Sequence, residues 1–328
     1  MEISIKEALG LNKTFIDLRS PKEHTEDTIP GSINIPLFDN SEHEIVGTLY
    51  HQKGQKEAID KGMEFVLPKL DKMTSQITKH DEPILFCWRG GMRSQSVCKY
   101  LKEKGFKTLL LKGGYREYRR YVSDEINKIT LPKLIILYGL AGAGKTRLIR
   151  KLNNAIDLEG FAQHRASLFG GLGLNPRSQK MFESLLLDSL KKSNKHIIVE
   201  GESKRIGDLH IPQRFYDAMN KGVKVWVDCS KQKRIQNLME DYGNAPKEEL
   251  REVLLQLKKF LSKTVFLRML HYLDTNKYDK LAEILLDEYY DKKYLHNLTR
   301  SRYDFVIDAT DEKNAVSQLS SFINETIN

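Results

Sequence analysis

The sequence predicts an α/β protein of two parallel-sheet domains, the second carrying a largely helical C-terminal part. Three observations lead to that expectation. Short apolar runs alternate with helical patterns through both halves of the chain. One such run ends in a cysteine set in an arginine- and glycine-rich loop, and another ends in a glycine-rich loop closing on Lys-Thr. The 328 residues are 40% hydrophobic and 30% charged, a balance that supports buried cores in two domains of ordinary size.

In chain order, Thr14–Leu18, Ile84–Cys87 and Lys107–Leu111 read as strands, each closing on turn or loop residues. Between the last two, Ser94–Lys104 has helical spacing with Val97, Cys98 and Leu101 on one face. A strand–helix–strand unit favours a parallel sheet. Tyr121–Thr130 is polar and mixed, Pro132 follows it, and this stretch is expected to be the linker between domains of residues 1–125 and 126–328. Beyond it, Leu134–Tyr138, Ile197–Glu200, Val223–Asp228 and Phe305–Asp308 are nearly continuous apolar runs, as strands covered on both faces are. Helices are expected at Pro176–Lys192, at Lys231–Asp241 and through most of 246–299. No internal repeat or low-complexity tract interrupts the series.

Charge is distributed unevenly. Residues 1–125 hold 20 Lys and Arg against 19 Asp and Glu, whereas 126–328 hold 33 against 25, so the second domain carries nearly all of the net +9. A basic surface attracts polyanions such as nucleic acid. No apolar run approaches the ~18–20 residues of a membrane span, and the early acid of Met1–Glu7 argues against a secretory signal. Cys87, Cys98 and Cys229 are too few and too far apart for a disulfide framework or a zinc cluster. A cytoplasmic, reducing setting with no membrane partner and no bound metal cluster is expected.

The segment Ile84-Leu85-Phe86-Cys87-Trp88-Arg89-Gly90-Gly91-Met92-Arg93-Ser94 places a thiol where a buried strand turns into a helix. Gly90 and Gly91 permit a tight loop, and its amides with the helix N-terminus, Arg89 and Arg93 make an electropositive cradle. That setting favours a thiolate nucleophile, Cys87, and an anionic ligand beside it. Cys98 and Cys229 read as small core residues.

Gly139-Leu140-Ala141-Gly142-Ala143-Gly144-Lys145-Thr146 fits G-x4-G-K-[ST] without a mismatch, after an apolar strand and before a helical stretch. Backbone amides around Gly139, Gly142 and Gly144 would wrap a diphosphate, with Lys145 on the outer phosphate. The Thr146 hydroxyl would meet a magnesium ion where one is bound. Glu200 and Asp228, at the ends of other strands, are both candidates for a metal-positioning acid. Such a loop holds any diphosphate, so ATP hydrolysis does not follow from it.

The cysteine loop resembles that of rhodanese-like domains, which carry sulfur or selenium on a cysteine. Phe15-Ile16-Asp17-Leu18-Arg19-Ser20-Pro21, Ile29-Pro30-Gly31-Ser32-Ile33-Asn34-Ile35-Pro36 and Lys112-Gly113-Gly114-Tyr115 resemble the same fold's opening turn, Pro-Gly segment and closing turn. The Cys-x5-Arg spacing of Cys87 and Arg93 is one residue longer than in the common rhodanese, and phosphatases related to the fold use it to cradle phosphate.

With the phosphate loop, further stretches resemble the bacterial tRNA 2-selenouridine synthase family. They are Val46-Gly47-Thr48-Leu49-Tyr50, Glu159-Gly160-Phe161-Ala162-Gln163-His164-Arg165-Ala166-Ser167, Val199-Glu200-Gly201-Glu202-Ser203-Lys204-Arg205-Ile206-Gly207 and Leu285-Leu286-Asp287-Glu288-Tyr289-Tyr290-Asp291. The resemblance implies a transferase acting on tRNA that bears 2-thiouridine at the wobble position. Geranyl diphosphate first alkylates the sulfur, and selenium from selenophosphate, delivered by a supplying enzyme, then displaces it. In that scheme Cys87 carries selenium, the phosphate loop holds the prenyl diphosphate, and Arg165, Glu200, Glu202 and Arg205 support it. Two other schemes use the same two loops: a sulfurtransferase fused to a nucleotide-dependent kinase or ATPase, and a regulatory rhodanese module gating an ATPase.

Overall fold

The structure, a computed structural model, describes residues 1–165, 167–192, 195–243, 245–292 and 303–327. Position 166 and the end of the expected helical stretch, 293–299, lie outside the described residues. Two compact units divide the chain, Met1–Lys128 with Ser178–Asp188 and Ile129–Arg177 with Ser189–Asn328. Segment 178–188, expected within the second domain, thus groups with the first.

The first unit is an all-parallel sheet of five short strands: β1 (Glu2–Ile3), β2 (Phe15–Asp17), β3 (Ile33–Asn34), β4 (Ile84–Phe86) and β5 (Leu109–Leu111), in the order β1-β5-β4-β2-β3. Strand β4 is central, and Ile84, Leu85 and Phe86 have no exposed surface. An apolar run without polar alternation suits a strand covered on both faces. Its C-terminal end opens at the sheet edge where parallel α/β folds bind ligands, and Cys87 is the next residue.

The units divide after Lys128, inside the stretch expected as the linker, but the first residues of that stretch are helical. A helix runs over Gly114–Ile126 and buries Tyr115, Tyr118, Tyr121, Val122 and Ile126. Their spacing of three and four residues makes one apolar stripe, which the intervening charges mask in composition. The link between units is accordingly short, from Asn127 to Pro132.

The second unit has a five-stranded parallel sheet of β6 (Lys133–Tyr138), β7 (Ala155–Ile156), β8 (His196–Glu200), β11 (Val223–Asp228) and β12 (Phe305–Asp308), in the order β12-β11-β6-β8-β7. A separate antiparallel hairpin pairs β9 (Arg205–Ile206) with β10 (Leu209–His210). In the central strand β6, Leu137 lies opposite Glu200 on one side and Val225 on the other. Helices Lys247–Leu257, Lys263–Asp274 and Tyr278–Leu285 pack around Leu254, Leu257, Met269 and Leu273, all without exposed surface. A π-helical turn over Leu286–Tyr290 follows them. Among the described residues no helix is long and apolar enough to cross a membrane.

Candidate functional site

Each unit carries a site at the C-terminal edge of its sheet. In the first, Cys87 is buried, with its Sγ 3.1 Å from Ser94 Oγ and 3.9 Å from the carbonyl oxygen of Gly91. Ser94 lies in the first turn of the helix Met92–Glu103, so loop and helix start close around the sulfur. Gly90 takes φ +65°, which an L side chain rarely adopts.

The closing turn braces this loop from behind. Tyr115 N–H donates to the Cys87 carbonyl at 2.9 Å, and Arg116 N–H donates to that of Trp88 at 2.9 Å. Gly114 stands at φ +59°, where a Cβ would lie 2.2 Å from the Cys87 carbonyl oxygen and 2.4 Å from the Gly90 nitrogen. Backbone cannot yield there cheaply. Gly114→Ala is expected to destabilise the first unit by more than about 2 kcal/mol, the sum of left-handed strain and overpacking. A urea titration following that unit would show the lowered midpoint, and an unchanged midpoint would refute the brace.

Arg19 locks the opening strand to the same turn. Its guanidinium donates to both Asp17 carboxylate oxygens, at 3.0 Å from Nε and 2.7 Å from Nη2, and to the Asp27 carbonyl at 2.6 Å. It also lies 4.0 Å over the Tyr115 ring. Arg19 is 1% exposed and Asp17 fully buried, so removing one partner strands a buried charge, typically at about 3–5 kcal/mol.

The two loop arginines differ. Arg93 donates to Glu23 at 2.9 Å, while Arg89 is exposed. Burial pushes the Glu23 carboxyl up, but Arg93 and a Ser20 amide outweigh it and hold it below the usual range. Within the same unit, Lys180 approaches Asp27 at 3.3 Å and lies 5.8 Å over the Trp88 ring. Cys98 is half-buried and Cys229 buried against the second sheet's core.

In the second unit the loop 139–144 leaves β6 and enters the short helix Lys145–Ile149. Gly142 and Gly144 take φ +75° and +87°. The helix Lys231–Tyr242 secures the loop: Arg234 Nε donates to the Ala141 carbonyl at 2.9 Å and Asn237 Nδ2 to that of Gly142 at 2.8 Å. Arg234 is itself fixed by a bidentate pair with Asp291, at 2.6 and 3.0 Å. These contacts tie down loop carbonyls. Lys145 Nζ folds back on the Gly139 carbonyl at 3.0 Å.

A cleft of about 300 Å³ opens over the loop. Lys145, Thr146, Glu159, Arg165 and Glu202 all line it, whereas Glu200 and Arg205 do not. Glu200 is fully buried, accepting the Leu158 N–H at 3.2 Å with its other oxygen unpartnered. Burial, then the carboxylates Asp157, Glu159 and Glu202, raise its carboxyl well above the normal range. It lies beneath the cleft rather than in its lining. Arg205 begins the hairpin strand β9, outside the parallel sheet, and its guanidinium pairs with Asp208 at 2.6 Å and the Gly207 carbonyl at 2.7 Å. Asp228 is exposed and accepts the Cys229 N–H.

The partner of Thr146 is instead Glu159, whose carboxylate accepts from the hydroxyl at 3.1 Å. Burial raises the Glu159 carboxyl against the opposing pull of Lys145 and Thr146. No spacing rule links a threonine to an acid thirteen residues on, so sequence reasoning missed the pair. It missed Ser94, Arg234 and Asn237 for the same reason. Among the described residues no cluster of three His, Cys, Asp or Glu could hold a metal.

Glu202 is pushed up to about 8 by burial and then by the Glu159 carboxylate, with Lys145 opposing. It is therefore neutral at pH 7 and gains a negative charge beside Lys145 as pH rises through 8. Inorganic diphosphate is expected to bind less tightly at pH 9 than at pH 7, and Glu202→Gln to flatten that fall. Calorimetry at both pH values checks it, and an undiminished fall in Glu202→Gln would move the effect elsewhere.

Comparison with known proteins follows this division. Residues 4–121 match the rhodanese-like domain family, and residues 132–263 match the tRNA 2-selenouridine synthase AAA domain family. A tRNA 2-selenouridine synthase of Shewanella frigidimarina is 32% identical over 330 residues, covering 89% of this chain and 90% of the relative. That of Hydrogenovibrio crunogenus is 31% identical over 349 residues, covering 94% and 96%. That of Nitrosomonas europaea is 35% identical over 242 residues, covering 70% and 63%.

Proposed function

The chain belongs to the tRNA 2-selenouridine synthase family, and on that premise we propose that it exchanges sulfur for selenium in wobble 2-thiouridine of tRNA in two stages, one at each loop. The observation that carries this reading is that each unit holds its own loop at a sheet end, one closing around the Cys87 thiol and the other lining a cleft with Lys145 and Thr146.

In the first stage the thiouridine sulfur attacks C1 of geranyl diphosphate. A C–S bond forms, the C–O bond to diphosphate breaks, and the uridine ring gives up its N3 proton. Lys145 and the loop amides stabilise the charge gathering on the leaving diphosphate, and Arg165 adds a second cation in the same cleft. Thr146 and Glu159 offer the oxygen donors that magnesium takes together with phosphate, and the ion would supply further charge to the leaving group.

In the second stage the selenium of selenophosphate adds at C2 and geranyl thiolate leaves as the thiol, which alkylation makes far easier than expelling the bare sulfur. Water then attacks phosphorus, the P–Se bond breaks, and inorganic phosphate departs while selenium stays on C2. Arg89, Arg93, Gly90 and Gly91 receive the anionic carrier beside Cys87. The +8 excess of residues 126–328 supports binding of the tRNA backbone, with affinity that falls as salt rises.

The test supplies thiolated tRNA and geranyl diphosphate without ATP, then adds selenophosphate, with nucleosides read by mass spectrometry. Geranylated thiouridine followed by selenouridine is expected. An absolute ATP requirement for the first product would overturn the reading and favour a kinase-like second domain.

A further inference from the structure

A second pocket adjoins the phosphate cleft and differs from it in chemistry. It encloses about 50 Å³ and is walled by Phe169, Leu238, Leu250, Leu281, Ala282 and neighbouring apolar side chains. Leu238, Tyr242 and Tyr290 line both, so the two spaces share one boundary.

That boundary is built by long-range packing. The Phe169 ring lies 6.1 Å from Tyr242 and 6.4 Å from Tyr290. On the cleft side the Arg165 guanidinium stacks 4.8 Å over Tyr242, placing a cation where the phosphate loop opens. Tyr290 ends the π-helical turn Leu286–Tyr290, and Asp291 directly after it holds Arg234 and, through it, the loop carbonyl of Ala141. Such turns recur at functional sites because they re-aim side chains that a regular helix would point elsewhere. Here one turn serves loop and pocket together.

We propose that this pocket is the subsite for the hydrocarbon tail of the diphosphate substrate, with Leu250, Leu281 and Ala282 setting the chain length that reacts. A ribose or base would have to bury hydroxyls and ring nitrogens against walls that offer almost no partner, which is costly. A hydrocarbon loses nothing there and gains from leaving water. The small volume suits the end of a short branched chain, whose remainder crosses the Tyr242–Tyr290 boundary to the phosphates. Leu250, Leu281 and Ala282 line the pocket and not the cleft, so they meet the tail alone.

The inference rests on the cleft's being a prenyl diphosphate site, and the experiment separates the two. The full chain is given thiolated tRNA with dimethylallyl, geranyl or farnesyl diphosphate, and prenylated thiouridine is read by mass spectrometry. Ratios of kcat/KM within one variant do not depend on how much of it is folded. Ala282→Phe should lower the geranyl-to-dimethylallyl ratio about tenfold or more, the scale of a changed methylene fit in an apolar pocket. Leu250→Ala should raise the farnesyl-to-geranyl ratio by a similar factor. If Ala282→Phe does not fold, Leu250→Ala decides alone. Unchanged ratios in active variants would overturn the tail subsite while leaving the cleft assignment standing. No prenyl transfer by the wild-type chain from any of the three would overturn the cleft assignment itself.

Discussion

Cys87→Ala is expected to abolish selenation of tRNA while geranylated thiouridine still forms and accumulates. The thiol sits at the end of the central strand β4, inside a loop fixed by Ser94, Gly114 and the Tyr115 amide. Alanine removes the sulfur and its contact with Ser94 but leaves the backbone hydrogen bonds of the loop, so the cradle stays formed. The phosphate cleft lies in the other unit and is lined by residues that this change does not touch. Nucleoside mass spectrometry after incubation with geranyl diphosphate and selenophosphate reads both products. Undiminished selenouridine would remove Cys87 from the chemistry, and loss of both products together would show that the two stages share one site.

Lys145→Ala is expected to slow geranylation by about 10²–10³, the loss typical when one donor to a developing anion is removed, or roughly 3–4 kcal/mol. Lys145 is the cleft cation closest to the loop itself, its Nζ held at the Gly139 carbonyl. Arg165 remains in the cleft and keeps part of the stabilisation, so the rate falls without vanishing. Selenation of tRNA supplied already geranylated should change far less, because Cys87, Arg89 and Arg93 are untouched. Single-turnover rates for each stage make the comparison, and normal geranylation by Lys145→Ala would take the diphosphate out of this cleft.

The chain's own order of residues determined both loops. Glycines at 90, 142 and 144 are needed for positive φ, Cys87 directly follows a buried strand, and Lys145 and Thr146 follow another across the glycine loop. Such local arrangements are written in spacing because neighbouring residues cannot avoid one another. The parallel strands were legible for a similar reason, since an apolar run covered on both faces has no polar alternation to hide it. Mixed composition concealed the end of the helix Gly114–Ile126, whose buried face appears only when Tyr118, Tyr121 and Val122 are read at helical spacing. Tertiary structure alone decided which distant groups meet. Charges near strand ends looked equivalent in sequence, yet Glu202 and Arg165 enter the cleft, Glu200 lies beneath it and Arg205 turns to Asp208. The pairs Thr146–Glu159, Asn237–Gly142 and Arg234–Asp291 likewise join separate segments of the chain. A side chain's partner across a fold depends on how sheets and helices pack, and packing is set by the shapes of all the buried residues together rather than by any short pattern.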